Sequence, residues 1–165
     1  AVLSGSCSAA TLEQVSRFAA QQPQFQIDPL ALATGQDVAA EALQWALPKL
    51  SAGPVLISAS AAPQAVKAVQ EQLGSSQAGA LVEQCLARIA EGLVAAGVRR
   101  MVVAGGETSG AVVAKLNIKG LRIGAQIAPG VPATVTTGTP AIALALKSGN
   151  FGGPDFFAEA LDRMP

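Results

Sequence analysis

Two glycine- and serine-rich turns carry the residues of this chain best suited to chemistry. Residues 101–110 read Met-Val-Val-Ala-Gly-Gly-Glu-Thr-Ser-Gly, a β-branched strand running into small residues and then a helix. The chain opens the same way, with Ala-Val-Leu-Ser-Gly-Ser-Cys-Ser over residues 1–8. A strand that ends in small residues and feeds a helix leaves backbone N–H groups unpaired at the helix start. Those donors and the positive end of the helix dipole make an anion site. Two such turns in one chain suggest a phosphate ligand lying across both. A third glycine-rich run, Lys147-Ser148-Gly149-Asn150-Phe151-Gly152, follows a later strand-like segment.

The elements around these turns alternate. Strand patterns cover residues 1–5, 24–28, 54–60 and 99–104. Helical spacing follows each of them: after Ser8 (Leu12, Val15, Phe18), over 37–50 with Pro48 bending or ending it early, over 63–73 and 77–96, and over 111–116. Alternation of this kind implies a mostly parallel α/β sheet with helices on both faces. The texture then changes. Residues 121–127, 133–137 and 142–146 are strand-like runs joined by Pro and Gly, so extra mixed or antiparallel strands are expected near the C-terminus. A last helix is expected over 155–163.

Composition limits the function. The 165 residues fit one domain, and half are hydrophobic with only 4% aromatic, so the core is built from Ala, Val, Leu and Ile. Eleven basic and eleven acidic residues are scattered without runs, which argues against nucleic acid as a partner. Mean hydropathy is positive, but no apolar stretch approaches a membrane span. There is no histidine, which removes Ser-His-Asp and Cys-His catalysis and histidine metal sites. Cys7 and Cys85 show no metal spacing and read as cytosolic thiols in a cytoplasmic protein. Residue 1 lies inside a strand pattern, so the expectation is a single domain over 1–165 cut from a longer protein, with the missing part on the N-terminal side. Neither the P-loop pattern nor GxGxxG is present.

Gly105-Gly106-Glu107-Thr108-Ser109-Gly110, Pro129-Gly130-Val131-Pro132, Lys147-Ser148-Gly149-Asn150-Phe151-Gly152 and Asp155-Phe156-Phe157 occur in that order. In these motifs, and in the opening Gly5-Ser6-Cys7-Ser8, the chain resembles the C-terminal domain of the four-carbon acid sugar kinases along its whole length. The resemblance implies transfer of the γ-phosphate of ATP to a hydroxyl of a tetronate or 3-oxotetronate. It implies that this chain holds the nucleotide, while an N-terminal domain holds the acid sugar and supplies the catalytic base.

Within that reading, Gly105, Gly106 and Gly110 let the backbone approach phosphate, with N–H groups near Thr108 and Ser109 and their hydroxyls donating. Ser6 and Ser8 serve the first turn in the same way. Gly149 and Gly152 let the last loop pass close to adenosine or phosphates, and Lys147 neutralises developing charge. Glu107 helps position Mg²⁺ through water. No direct protein ligand for a metal is expected. Plainer roles stand beside these: packing glycines, Ser8 and Asp155 as helix caps, Glu107 complementing a helix N-terminus, Lys147 as a solvated strand-end lysine, and Trp45 as core or interface. Two rivals remain open. Gly-x-Thr-x-Gly over 106–110 reads as a threonine form of a hydrolase nucleophile elbow, though no histidine exists to activate Thr108. A non-catalytic nucleotide-sensing or protein-interaction module has the same motifs. Homo-oligomerisation is left open.

Overall fold

The computed structural model describes residues 1–165. Its sheet has seven strands: β1 (Val2–Ser4), β2 (Gln24–Gln26), β3 (Leu56–Ser58), β4 (Arg100–Ala104), β5 (Leu121–Ala128), β6 (Val131–Thr136) and β7 (Ala143–Lys147). They lie in the order β2-β3-β1-β4-β7-β6-β5. The first five in that order run parallel, and β6 and β5 close the sheet as an antiparallel pair. The expected change of texture after residue 116 is therefore the change from parallel to antiparallel pairing.

Short continuous apolar runs make strands buried on both faces. Successive side chains point to opposite sides of a strand. Val2, Leu56, Val102 and Ala145 pack on one face, against α1 (Ala9–Ala19) and α7 (Phe156–Arg163). Leu3, Ile57, Val103 and Leu144 pack on the other, which is covered by α3 (Val38–Ala46), α5 (Ser75–Ala95) and α6 (Gly106–Lys115). Two aliphatic cores thus clamp one sheet. The buried aromatics are Phe18, Phe156 and Phe157, whose rings meet edge-on between α1 and α7.

Several boundaries differ from expectation. A short helix, α2 (Pro29–Ala33), follows β2; Pro29 sits at its first turn and Asp28 caps it, accepting from the Leu30 N–H at 2.9 Å. Proline at that position starts a helix as readily as it closes a strand. α3 ends at Ala46, and Pro48 falls in a one-turn 3-10 helix. α4 (Pro63–Leu73) lies as expected, and Gly74 at φ +82° separates it from α5. α6 begins at Gly106, not after Gly110, so Glu107 to Gly110 are helical. Asp155 does not cap α7 with its side chain, which pairs with Arg17 at 3.3 Å. Trp45 packs on the core beside Phe25, ring centres 5.6 Å apart.

Candidate active site

The chain leaves β1 toward the β3–β2 side of the sheet and leaves β4 toward the β5 edge. Adjacent parallel strands whose connections depart in opposite directions open a crevice at their carboxyl ends. Gly5-Ser6-Cys7 and Gly105-Gly106-Glu107 stand at those ends.

The turns are stitched together. The Ala104 carbonyl accepts the N–H groups of Gly5 and Ser6, at 3.0 and 3.2 Å, and the Gly105 N–H donates to the Lys147 carbonyl at 2.9 Å. Gly105 has φ +128°, a conformation that side chains resist. A Cβ there would also lie 2.8 Å from Thr108 Oγ1. The first intrahelical bond of α6 runs from the Ser109 N–H to the Gly105 carbonyl at 2.8 Å. The N–H groups of Gly106, Glu107 and Thr108 consequently have no helical partner, and they face the crevice at the positive end of α6.

A cavity of about 720 Å³ opens from these turns, within the size range of small-molecule sites. Gly5, Ser6, Cys7, Gly105, Gly106, Glu107 and Thr108 line one end. Ile27, Val66, Val69, Ala78 and Val82 line the other, with Gln26, Gln70 and Asp28 among the polar groups. One end therefore suits an anion and the other a flat apolar body.

The residues singled out from sequence separate into groups. Ser6, Gly105, Gly106, Glu107 and Thr108 line the cavity. Ser8, Lys147, Gly149 and Gly152 assemble beside it. Ser8 caps α1, accepting from the Thr11 N–H at 3.2 Å, while its hydroxyl donates to the Gly149 carbonyl at 2.6 Å. Lys147 is 1% exposed, and its Nζ donates to Thr11 Oγ1 at 2.9 Å and to the Gly149 carbonyl at 3.0 Å. It is not a solvated strand-end lysine. Ser109 and Gly110 lie further along α6, outside the cavity lining, and Gly110 is exposed. Thr108 is buried with its hydroxyl against Gly105, unlike a nucleophile raised on an exposed elbow.

Sequence reasoning missed Glu83, Thr11 and Gln14. Glu83 belongs to the polar side of α5 by spacing, yet it lines the cavity beside Glu107. Burial first, and then the Glu107 carboxylate, hold the Glu83 carboxyl above its usual range. No sequence signal joins residues 83 and 107; only the packing of α5 on α6 does.

Burial also lowers the Lys147 ammonium from 10.5 to about 8. The unfolded chain then binds more protons than the folded chain between about pH 8 and 10.5, so this group adds stability as pH rises through that window. At most about 3 kcal/mol follows from the size of the shift. Cys85, pushed up to about 11 by burial, acts in the opposite sense above pH 9. The expected outcome is a difference: wild type gains stability relative to Lys147→Met between pH 8 and 10.5 in urea titrations. Parallel curves would place Lys147 in contact with water.

A family model described as "Nucleotide-binding C-terminal domain" matches residues 1–157. The chain belongs to that family. It is 62% identical to a 3-oxo-tetronate kinase of Cupriavidus necator, covering 99% of this chain and 38% of that protein. It is 42% identical to a 3-oxo-tetronate kinase of Haemophilus influenzae over 96% of this chain and 38% of that protein. A solved Haemophilus influenzae structure superposes with a TM-score of 0.94 at 40% identity, over 99% of this chain and 40% of that one. A Bordetella bronchiseptica structure described as a domain-swapped dimer with bound citrate shares the fold, with a TM-score of 0.73 at 19% identity. The nucleotide-binding domain thus spans under two fifths of the length of these kinases. None of its helices is long and apolar enough to cross a membrane.

Proposed function

We propose that this domain is the ATP-binding half of a cytoplasmic kinase that phosphorylates a hydroxyl of a four-carbon acid sugar, a tetronate or 3-oxotetronate. One observation carries the reading: a cavity with an aliphatic slot at one end and two strand-end glycine turns at the other. The slot accepts a base by apolar contact. The N–H groups of Gly106, Glu107 and Thr108 receive phosphate oxygens. The acceptor is inferred from relatives that carry the name 3-oxo-tetronate kinase over this whole chain.

In phosphoryl transfer the protein mainly positions the groups and stabilises charge. Here fixed N–H donors do so at no reorganisation cost. The chain holds no histidine, and the resemblance assigns the base that takes the hydroxyl proton to the acid-sugar domain. Glu83 and Glu107 offer an all-oxygen donor set beside the phosphate end, which fits Mg²⁺. No group of three or more His, Cys, Asp or Glu stands ready to hold a metal. The two carboxylates would therefore hold the ion together with phosphate oxygens. Once bound, Mg²⁺ neutralises phosphate charge.

The isolated domain is expected to bind ATP weakly and to phosphorylate nothing. Addition of the separately made N-terminal domain should restore ATP-dependent formation of a phosphomonoester on a tetronate, read by phosphorus NMR. Domains that fold and dock but give no product with any four-carbon acid sugar would favour a non-catalytic nucleotide-sensing module. Absence of ATP binding at millimolar concentration would remove both readings.

A further inference from the structure

The loop after β7 lies beside the cavity and is held from below by one face of α1. Gln14 is 1% exposed, and its Nε2 lies within hydrogen-bond distance of three successive carbonyls, Phe151 at 3.1 Å, Gly152 at 3.1 Å and Gly153 at 2.9 Å, its two hydrogens shared among them. One turn earlier on α1, Thr11 Oγ1 donates to the Gly149 carbonyl at 2.8 Å, and Ser8 Oγ and Lys147 Nζ reach the same oxygen. Residues 8, 11 and 14 recur at helical spacing, so one stripe of α1 takes hold of the loop. The amide orientation of Gln14 is dictated by its surroundings, since the opposite one would set an oxygen against three carbonyl oxygens. Its Oε1 is buried and finds no partner. This acceptor is tolerated beside a nitrogen whose two hydrogens are both engaged.

Pinning the carbonyls fixes the rest of the loop. In a planar trans peptide the C=O and the following N–H point in opposite directions. With the Gly149, Phe151 and Gly152 carbonyls turned onto α1, the N–H groups of Asn150, Gly152 and Gly153 turn away from it. Those three N–H groups make no hydrogen bond within the chain. The fourth peptide, Gly153–Pro154, has no N–H to present. Asn150 and Gly153 are exposed. The loop also abuts the first turn, where a Cβ on Gly149 would lie 2.5 Å from Ser6 Oγ. Yet none of residues 147–153 lines the cavity. Along the sheet edge the order is cavity, β1 and β4 turns, then this loop.

We propose that Gln14 is a positioning residue for phosphoryl transfer, holding the 149–153 carbonyls inward so that the N–H groups of Asn150, Gly152 and Gly153 meet the terminal phosphoryl group of ATP. This rests on the kinase reading above, and it separates two tasks. The β1 and β4 turns hold the inner phosphates, which ADP also has. The loop meets the group that is transferred.

The test uses the full-length kinase, with ADP affinity by calorimetry and steady-state turnover with ATP and a tetronate. Gln14→Glu sets a carboxylate against three carbonyls, and Gln14→Met removes the donor at similar volume. Both are expected to lower kcat at least thirtyfold while ADP affinity stays within threefold; Gln14→Asn, one methylene short, should recover less than wild type and more than Gln14→Met. If Gln14→Glu does not fold, Gln14→Met and Gln14→Asn carry the test. Unchanged kcat in folded Gln14→Met overturns the proposal, as does an equal loss of ADP affinity and kcat, which would mark a purely structural role. In either case wild-type turnover leaves the kinase reading standing. Wild-type protein that binds neither ADP nor ATP overturns both.

Discussion

Gly106→Asp is expected to lower ATP affinity by about a thousandfold and leave the fold intact. Gly106 is the first residue of α6, lines the cavity and is exposed. A Cβ there meets nothing within 4 Å, so the substitution costs no packing. A carboxylate at a helix N-terminus even complements the dipole. Its cost falls on the ligand. Two like charges roughly 4 Å apart near a surface repel by about 4 kcal/mol, close to three decades in affinity. Gly110→Asp is the matched control: it is also open around its Cβ but lies one turn away, outside the cavity lining. It should change affinity less than threefold. Calorimetry with ATP decides; equal losses in both variants, or none in Gly106→Asp, would take the phosphates away from the β4 turn.

Phe157→Ala is expected to cost about 3–5 kcal/mol of stability, the range for truncating a buried aromatic. Phe157 is 1% exposed and packs edge-on against Phe18, ring centres 5.9 Å apart. In a core of small aliphatics few neighbours can shift to fill the space it leaves. For a domain of this size that corresponds to a fall of about 10 °C or more in Tm. The function should suffer too, because Phe157 holds α7 on α1, and α1 carries the Ser8–Thr11–Gln14 stripe that grips the loop. Circular dichroism melts give the first number, and kcat below the transition gives the second. A Tm within about 3 °C of wild type would mean that α7 contributes little to that core.

Much of the fold was legible because β1, β3 and β4 are short, mostly apolar and each followed by helical spacing. That pattern leaves little alternative to a parallel sheet covered on both faces. The cavity-lining part of the site was legible for a related reason. Gly5-Ser6 and Gly105-Gly106 directly follow short buried strands, and such turns leave N–H groups unpaired at the start of the next helix. The start of α6 was misplaced because glycine and threonine are poor helix formers. Tertiary context overrode that preference, with Thr108 buried against the turn and Gly105 supplying the φ the cap requires.

The sequence by itself determined the class of fold, the two strand-end turns, and the absence of histidine chemistry. These are local properties of composition and of residues close together in the chain. Only the tertiary structure decided which residues share a site. Strand order placed the ends of β1, β4 and β7 side by side, bringing residues 5, 105 and 149 together. The packing of α5 on α6 faced Glu83 to Glu107, and the crossing of α1 under the last loop gave Gln14 its three carbonyls. Burial turned Lys147 from an open cation into a clamp on the Gly149 carbonyl. Such contacts join positions up to about 140 residues apart. Periodicity and spacing report only on neighbours within a few turns of one another, so these pairings follow from how the sheet is wound.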